Sequence, residues 1–373
     1  MTRSTIDVEA LRDLLDQGQP VTVLDIRRSA EHAEWSIPGS VHVDAYDTLK
    51  ADDPNALSEA DLPREVPVVA VCGAGKTSVL AAEQLRARGF QALSLEGGMK
   101  AWSLAWNTAE VEVPGTEAGK GTEILQVRRT GKGCLSYLIG SGGEAAVIDA
   151  AVDPEVYLGL AEERGWKITR VLDTHVHADH LSRSGMLTEL AGAKLYMPEG
   201  APVSYPFVAL DDGDVVRIGA ARLEALRTPG HTAESTSYLL DGKALFTGDT
   251  LFLSAVGRPD LEASPERAHE KVRVLHGSLR RVLELDPETL VLPGHTSEPV
   301  PFDGEPIVAA LSEVQEGVPL LGKDEDTFVE KLSGPASPAP ENYERIVELN
   351  RSGEMPEGDP TDLEVGANRC AAG

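Results

Sequence analysis

The chain has 373 residues, 41% hydrophobic and 25% charged, with a formal net charge of −27. That length exceeds one ordinary core and sets an expectation of two domains. The charge argues against nucleic acid and anionic membranes as partners, because their phosphates would be repelled, and it is a composition that stays soluble at high salt, as in a salt-adapted source.

The chain opens on MTRSTIDVEALRDLLDQ, an amphipathic helix start rather than a signal peptide. VTVLDIR (21–27) and VPVVAVC (66–72) read as buried strands, Ser78–Arg88 as a helix with Gly89 as its cap, and QALSLEGG (91–98) as a third strand. Strands alternating with helices imply a parallel α/β sheet. Residues 109–122 are rich in Gly, Pro and Glu at their centre and read as a linker between a domain at 1–108 and one at 123–300. In the second domain ILQVRR, CLSYLIG, AAVIDA, RVLDT, KLYMP, VVRIG, RLEALRT, STSYLL, KALFTG and TLVLP are strand candidates. Helices are expected near 154–164, 182–191 and 265–285. Many strands with few helices suggest a sandwich covered by helices. Residues 301–373 form an extension with Pro-rich stretches and a helix-like NYERIVELN. No run approaches the about 18 apolar residues of a membrane-spanning helix. Three cysteines (Cys72, Cys134, Cys370) make no disulfide framework, so the cytoplasm is the expected compartment.

VCGAGKTSV (71–79) suggests first a phosphate loop. Gly75 and Lys76 would close that motif, but Ala70 stands where its first glycine belongs. The alternative is a nucleophile. Cys72 ends a parallel strand, where ligands of open α/β sheets bind, and a helix begins just beyond it. The N–H groups there favour an anion and would lower a thiol pKa. A small core cysteine is the plain alternative. The surrounding residues resemble a rhodanese domain, through Asp25, Arg27, Glu31 and Ile37-Pro38-Gly39, and through GFQALSLEGGMKAW (89–102). That resemblance implies that Cys72 carries a persulfide within the loop Gly73, Ala74, Gly75, Lys76, Thr77. The loop is similar to C-G-x-G-x-T of mercaptopyruvate sulfurtransferases. Ser36 departs from the histidine common before I-P-G, and Thr77 stands where many single-domain members carry arginine, which leaves the sulfur donor open.

DTHVHADHLSRSG (173–185) places three histidines and an aspartate within six residues, directly after a strand. TPGHT, TGDTLF and LPGHT follow other strands and add His231, Asp249 and His295. Five of the nine histidines stand in these motifs. Their convergence on one sheet edge points to metal ligands rather than to core histidines. Imidazole and carboxylate without thiolate suit Zn²⁺, Fe²⁺ or Mn²⁺. The pattern resembles the metallo-β-lactamase superfamily over roughly 120–300, which implies an αββα sandwich with metal at the strand edges.

Two chemistries follow from that resemblance. A persulfide dioxygenase would hold one Fe²⁺ with His175, His231 and Asp249, leaving His177, Asp179, His180 and His295 behind the ligands or as remnants of a second metal site. A hydrolase of the glyoxalase II type would hold two Zn²⁺ and use a bridging water. The fused rhodanese domain, the similarity of VGRPDLE (256–262) to the G-R-x-D segment of persulfide dioxygenases, and the similarity of TDLEVGANRCA (361–371) to the tail of rhodanese–lactamase fusion proteins favour the dioxygenase. The seven ligand-type residues suit the hydrolase. Arg258 is expected either to meet a substrate carboxylate or to pair with Asp260 and hold its loop. The expected partners are a low-molecular-weight thiol persulfide, O₂, and sulfite or thiosulfate, in a chain for which a homodimer is allowed. A non-catalytic sulfur carrier is a third reading.

Overall fold

The computed structural model describes residues 4–113, 121–260, 265–333, 339, 342–366 and 370–372. The centre of the expected linker, and part of the segments 256–262 and 361–371, lie outside them.

The first domain is a parallel sheet of five strands in the order Thr5–Ile6, Ala92–Leu95, Val68–Val71, Thr22–Asp25, Val41–His42. Val68–Val71 is central and wholly buried, as its continuous apolar run predicts. Its residues alternate between two cores. Val68 and Ala70 pack with Leu24, Ala82 and Leu85 on one face, and Val69 and Val71 with Leu11, Trp35 and Trp102 on the other. The helix after the cysteine loop spans Thr77–Ala87, and Gly89 takes φ +88 just past its end.

The second domain is a sandwich of two sheets. One has seven strands in the order Val208–Leu210, Lys194–Pro198, Lys167–Leu172, Glu144–Ile148, Cys134–Ser141, Glu123–Arg129, Asn107–Val111. The other has six: Val215–Ile218, Ala221–Arg227, Thr236–Leu240, Ala244–Gly248, Leu290–Pro293, Ala309–Ala310. Tyr137, Ile139, Ile148, Leu223, Tyr238 and Phe246 fill the space between them. Helices Pro154–Glu163 and Ser184–Ala191 cover the seven-stranded sheet, and Pro265–Val282 covers the six-stranded one. Strand Ala244–Gly248 shows why this order forms. Phe246 faces the inter-sheet core and Leu245 the outer helix, so both faces are dry. Each such side chain contributes on the order of 1.5–3 kcal/mol.

One boundary differs from the expectation. Asn107–Val111 pairs antiparallel with Glu123–Arg129, so the start of the expected linker 109–122 is an edge strand of the second domain. NTAEV has too few apolar residues to announce a strand; pairing with a neighbour supplies what its own pattern lacks. The C-terminal extension at 301–373 is present, and its described parts pack onto the second domain. Ala309–Ala310 extends the six-stranded sheet, helices Leu311–Gly317 and Glu325–Leu332 join its outer core, and Ala371–Ala372 pairs with Val256–Gly257.

The domains meet closely. The Trp102 and Phe302 rings lie 6.1 Å apart, and Arg129 Nε donates to the Ser103 carbonyl at 2.7 Å.

Candidate metal centre and sulfur loop

Each metal-type side chain stands just beyond a strand end. Lys167–Leu172 delivers His175 after two residues, Ala221–Arg227 leads to His231, Ala244–Gly248 to Asp249, and Leu290–Pro293 to His295. The approach is close enough to demand glycine. Gly248 has φ +49, and a Cβ there would lie 2.4 Å from Thr174 Oγ1.

His175, His231 and Asp249 form one cluster, all buried, with donor atoms within 4.8 Å of one another. Asp249 Oδ2 lies 3.8 Å from His175 Nε2 and 3.6 Å from His231 Nε2. Among the described residues, His175 Nε2 and Asp249 Oδ2 have no hydrogen-bond partner although both are buried. Unpartnered buried polar atoms are costly unless something else meets them. The opposite edges are held. His175 Nδ1 meets Thr174 Oγ1 at 2.9 Å, His231 Nδ1 meets the Arg258 carbonyl at 2.8 Å, and Asp249 Oδ1 meets His295 Nδ1 at 2.5 Å. Imidazoles gripped at Nδ1 and open at Nε2 are the usual dress of metal ligands. Two nitrogens and one carboxylate oxygen fit a single divalent cation such as Fe²⁺ or Zn²⁺.

Asp179, His180 and His295 gather elsewhere, with Cys134 as a fourth member. His180 Nδ1 bonds Asp179 Oδ1 at 3.0 Å, and Cys134 Sγ donates to Asp179 Oδ2 at 3.5 Å. His295 Nε2 and Asp179 Oδ2 form an ion pair at 2.8 Å. Burial would lower the His295 imidazole, but Asp179 and Asp249 outweigh it and raise its pKa well above the ordinary value. Burial likewise opposes the charge on His180, and the neighbouring Asp179 and Cys134 raise it to about 10. Burial pushes the Cys134 thiol up, yet His180 brings it down to about 6. His177 belongs to a third group. Its Nε2 lies 3.3 Å from Asp149 Oδ1, beside Asp173.

Arg258 is buried, and its guanidinium grips Asp260 through Nε at 2.9 Å and Nη2 at 2.7 Å. The pair with Asp260, one of the two expectations for it, forms. Its main chain matters more: the carbonyl holds His231, and its N–H donates to the Cys370 carbonyl at 3.0 Å. Cys370 thereby joins Asp249 and His295 in a further buried group.

In the first domain Cys72 is 1% exposed. Its sulfur accepts from Ser78 N at 3.4 Å and lies 3.3 Å from Ser78 Oγ, which in turn accepts from Ser94 Oγ at 2.8 Å. Ser78 stands in the first turn of helix Thr77–Ala87. Gly73, Ala74, Gly75 and Lys76 arch outward, with Ala74 and Lys76 exposed and Thr77 buried. Gly75 takes φ +73, where a Cβ would lie 2.6 Å from Gly97 N. Met99 N and Lys100 N donate to the Cys72 and Gly73 carbonyls at 2.8 and 2.9 Å. The Asp25–Arg27 pair is a buried brace, with Arg27 also reaching the Trp35 carbonyl.

The sequence reading passes over Ser78, Ser94, Asp149, Thr174 and the sites taken by Cys134 and Cys370. Only Thr174 carries a signal in sequence, as a hydroxyl directly before the first ligand histidine. The others reach their places through tertiary contacts.

Residues 129–295 match the metallo-β-lactamase superfamily, and residues 7–105 match the rhodanese-like domain. A hydroxyacylglutathione hydrolase of Mesorhizobium japonicum is 34% identical over 156 residues, covering 41% of this chain and 58% of that protein. One from Rhodopseudomonas palustris strain BisB18 is 38% identical over 129 residues, covering 33% and 50%. The chain thus spans about half the length of these curated relatives, 58% of one and 50% of the other. Among solved structures, ETHE1 from Myxococcus xanthus is 33% identical with a TM-score of 0.54, covering 61% of this chain and 97% of that one. A metallo-β-lactamase from Staphylococcus aureus has 25% identity and a TM-score of 0.59, covering 63% and 75%.

Proposed function

The chain belongs to the metallo-β-lactamase superfamily through its second domain and carries a rhodanese-like domain before it, and on that premise we propose that it oxidises a low-molecular-weight thiol persulfide to sulfite and moves sulfane sulfur through Cys72. The balanced reaction is RSSH + O₂ + H₂O → RSH + SO₃²⁻ + 2H⁺.

One observation carries this reading. Asp249 has one oxygen for a metal, because the other is bonded to His295 Nδ1. His177 Nε2 lies 3.3 Å from Asp149 Oδ1, and among the described residues its donor atoms group with Asp149 and Asp173 rather than with the triad. A bridged pair of metals would draw on both Asp249 oxygens and on His177, whereas a single cation needs only His175, His231 and Asp249. Those three residues would hold Fe²⁺, which when bound supplies the one-electron chemistry that lets O₂ react with closed-shell sulfur. All three of these side chains are buried, which would strengthen their electrostatic hold on a bound cation. Arg258 sets the orientation of His231 through its carbonyl. In the first domain Cys72 would hold the sulfane sulfur, with Ser78 N–H and Oγ stabilising the anionic terminal sulfur. The rhodanese domain would then join that sulfur to sulfite, giving thiosulfate, or deliver persulfide to the second domain.

The names of the curated relatives favour a second reading, a binuclear zinc thioester hydrolase. Asp179, His180 and His295 lie together and could serve it. The deciding experiment measures metal content after purification without oxygen, oxygen uptake on glutathione persulfide, and hydrolysis of S-lactoylglutathione. About one iron per chain with oxygen uptake supports the dioxygenase. Two zincs with thioester turnover and no oxygen uptake overturn it.

A further inference from the structure

Behind His175 stands a chain of polar contacts that reaches away from the metal centre. His175 Nδ1 meets Thr174 Oγ1 at 2.9 Å, and Thr174 Oγ1 meets Asp149 Oδ2 at 2.9 Å. The other Asp149 oxygen accepts from Thr174 N at 2.7 Å. All three residues are buried. We infer that Asp149 and Thr174 are positioning residues that set the tautomer of His175 before any metal arrives.

The inference follows from counting protons. A carboxylate only accepts, and a hydroxyl has one hydrogen. The Thr174 hydrogen must therefore point at Asp149. The lone pairs of Thr174 Oγ1 are left to face His175, so Nδ1 has to bring the proton. Nε2 then carries the lone pair and is the nitrogen left without a partner among the described residues, beside Asp249. The opposite tautomer would set a lone pair against a lone pair at Nδ1 and place a proton where the cation has to bind.

Two further features show that this carboxylate is held in place. Asp149 takes φ +55, a left-handed backbone that side-chain-bearing residues rarely adopt, and its main-chain N–H is tied to the Leu172 carbonyl. Thr174 also touches the segment that carries the next ligand, since a Cβ on Gly248 would strike its hydroxyl and methyl. The hydroxyl thus touches two ligand-bearing segments, which is why its removal reaches the metal without any contact to it. The inference rests on His175 being a metal ligand and holds whether the cation is iron or zinc.

The test uses the full-length protein. The ¹⁵N shifts of the His175 ring, measured on metal-free protein near neutral pH, are expected to report protonated Nδ1 and bare Nε2. Thr174→Val, similar in shape, is expected to lose that preference and to weaken Zn²⁺ or Fe²⁺ affinity roughly 10- to 100-fold. Asp149→Asn is expected to do the same, because an amide can donate to Thr174 and turn its hydrogen toward His175. Thr174→Ser keeps the hydroxyl and is expected to keep both tautomer and affinity within about threefold. Protonated Nε2 in the wild type overturns the inference. So does equal loss in the Ser and Val variants, which would mean packing alone, or unchanged affinity in Val. Absent oxygen uptake with the expected tautomer intact would count against the proposed reaction and leave this inference standing.

Discussion

In the proposed single-metal centre, His295 would act through Asp249 rather than as a ligand. Its Nδ1 fixes one Asp249 oxygen, so that the other is aimed between His175 and His231. His295→Ala is therefore expected to loosen Asp249 and cost roughly 10- to 100-fold in metal affinity even for a single-metal enzyme, read by metal titration. In sequence His295 resembles one more ligand of a set of seven. Which of the seven stand together is decided by rotamers and by buried partners such as Asp149, and neither shows in spacing. Cys72 makes a parallel case. Its strand-end position is legible from VPVVAVC, while the Ser94–Ser78 pair behind it is not, because the two serines are brought together only when strand Ala92–Leu95 pairs with Val68–Val71. Ser78→Ala is expected to slow sulfur transfer from thiosulfate roughly tenfold by removing one hydrogen bond to the reacting sulfur. Cys72→Ser is expected to abolish transfer and leave oxygen uptake in place. Sulfane sulfur found by mass on Cys134 or Cys370 instead would refute that assignment.

At the scale of elements, the short helix Thr361–Glu364 is the most consequential piece that composition hides. Glu364 is fully buried and accepts from Arg129, Arg183 and the Leu181 N–H. Burial opposes its charge, but the two guanidiniums outweigh that and lower its pKa from 4.5 to about 2. A depressed carboxylate stabilises the fold above its unfolded pKa and loses that contribution as pH falls through the folded value. Acid unfolding monitored by circular dichroism is thus expected to lose a Glu364-dependent component between about pH 4.5 and 2. Glu364→Gln should erase that component. It should also cost about 3–5 kcal/mol at neutral pH, because two buried cations lose their counter-ion. Longer elements were readable since their patterns fill several turns or a full strand. Helices such as Gly98–Trp102, and edge pieces such as Asn107–Val111 and Ala371–Ala372, are too short for a period to appear, and they form because a neighbour offers hydrogen bonds.

For the molecule as a whole, the two-domain order, the parallel sheet and the sandwich were legible, and the closeness of their docking was not. Apolar contacts such as Trp102 with Phe302 and buried ties such as Arg129 to the Ser103 carbonyl join the domains, so the two are expected to unfold in one calorimetric transition; two well-separated transitions would contradict this. The net charge of −27 acts at the same scale. Surface repulsion is screened by salt, with a Debye length of about 10 Å at 0.1 M and about 3 Å at 1 M. The midpoint of thermal unfolding is expected to rise between those salt concentrations, and a fall would show that attractive pairs dominate.

The ion pairs from Lys100 to Asp359 and Asp362 have a meaning in time as well as in space. Lys100 lies on the helix whose N–H groups hold the Cys72 loop, while the segment it grips continues through Glu364 to Ala371–Ala372, beside the loop of Arg258. A ribosome makes the sulfur loop early and this segment hundreds of residues later. Through most of synthesis, Lys100 would lack both partners, Arg129 and Arg183 would lack Glu364, and the Arg258 loop would lack its strand. The two sites would then mature together, when the same late segment docks. A nascent chain stalled near residue 355 should consequently bind metal poorly while its first domain is already folded, an order that metal capture on arrested chains can check.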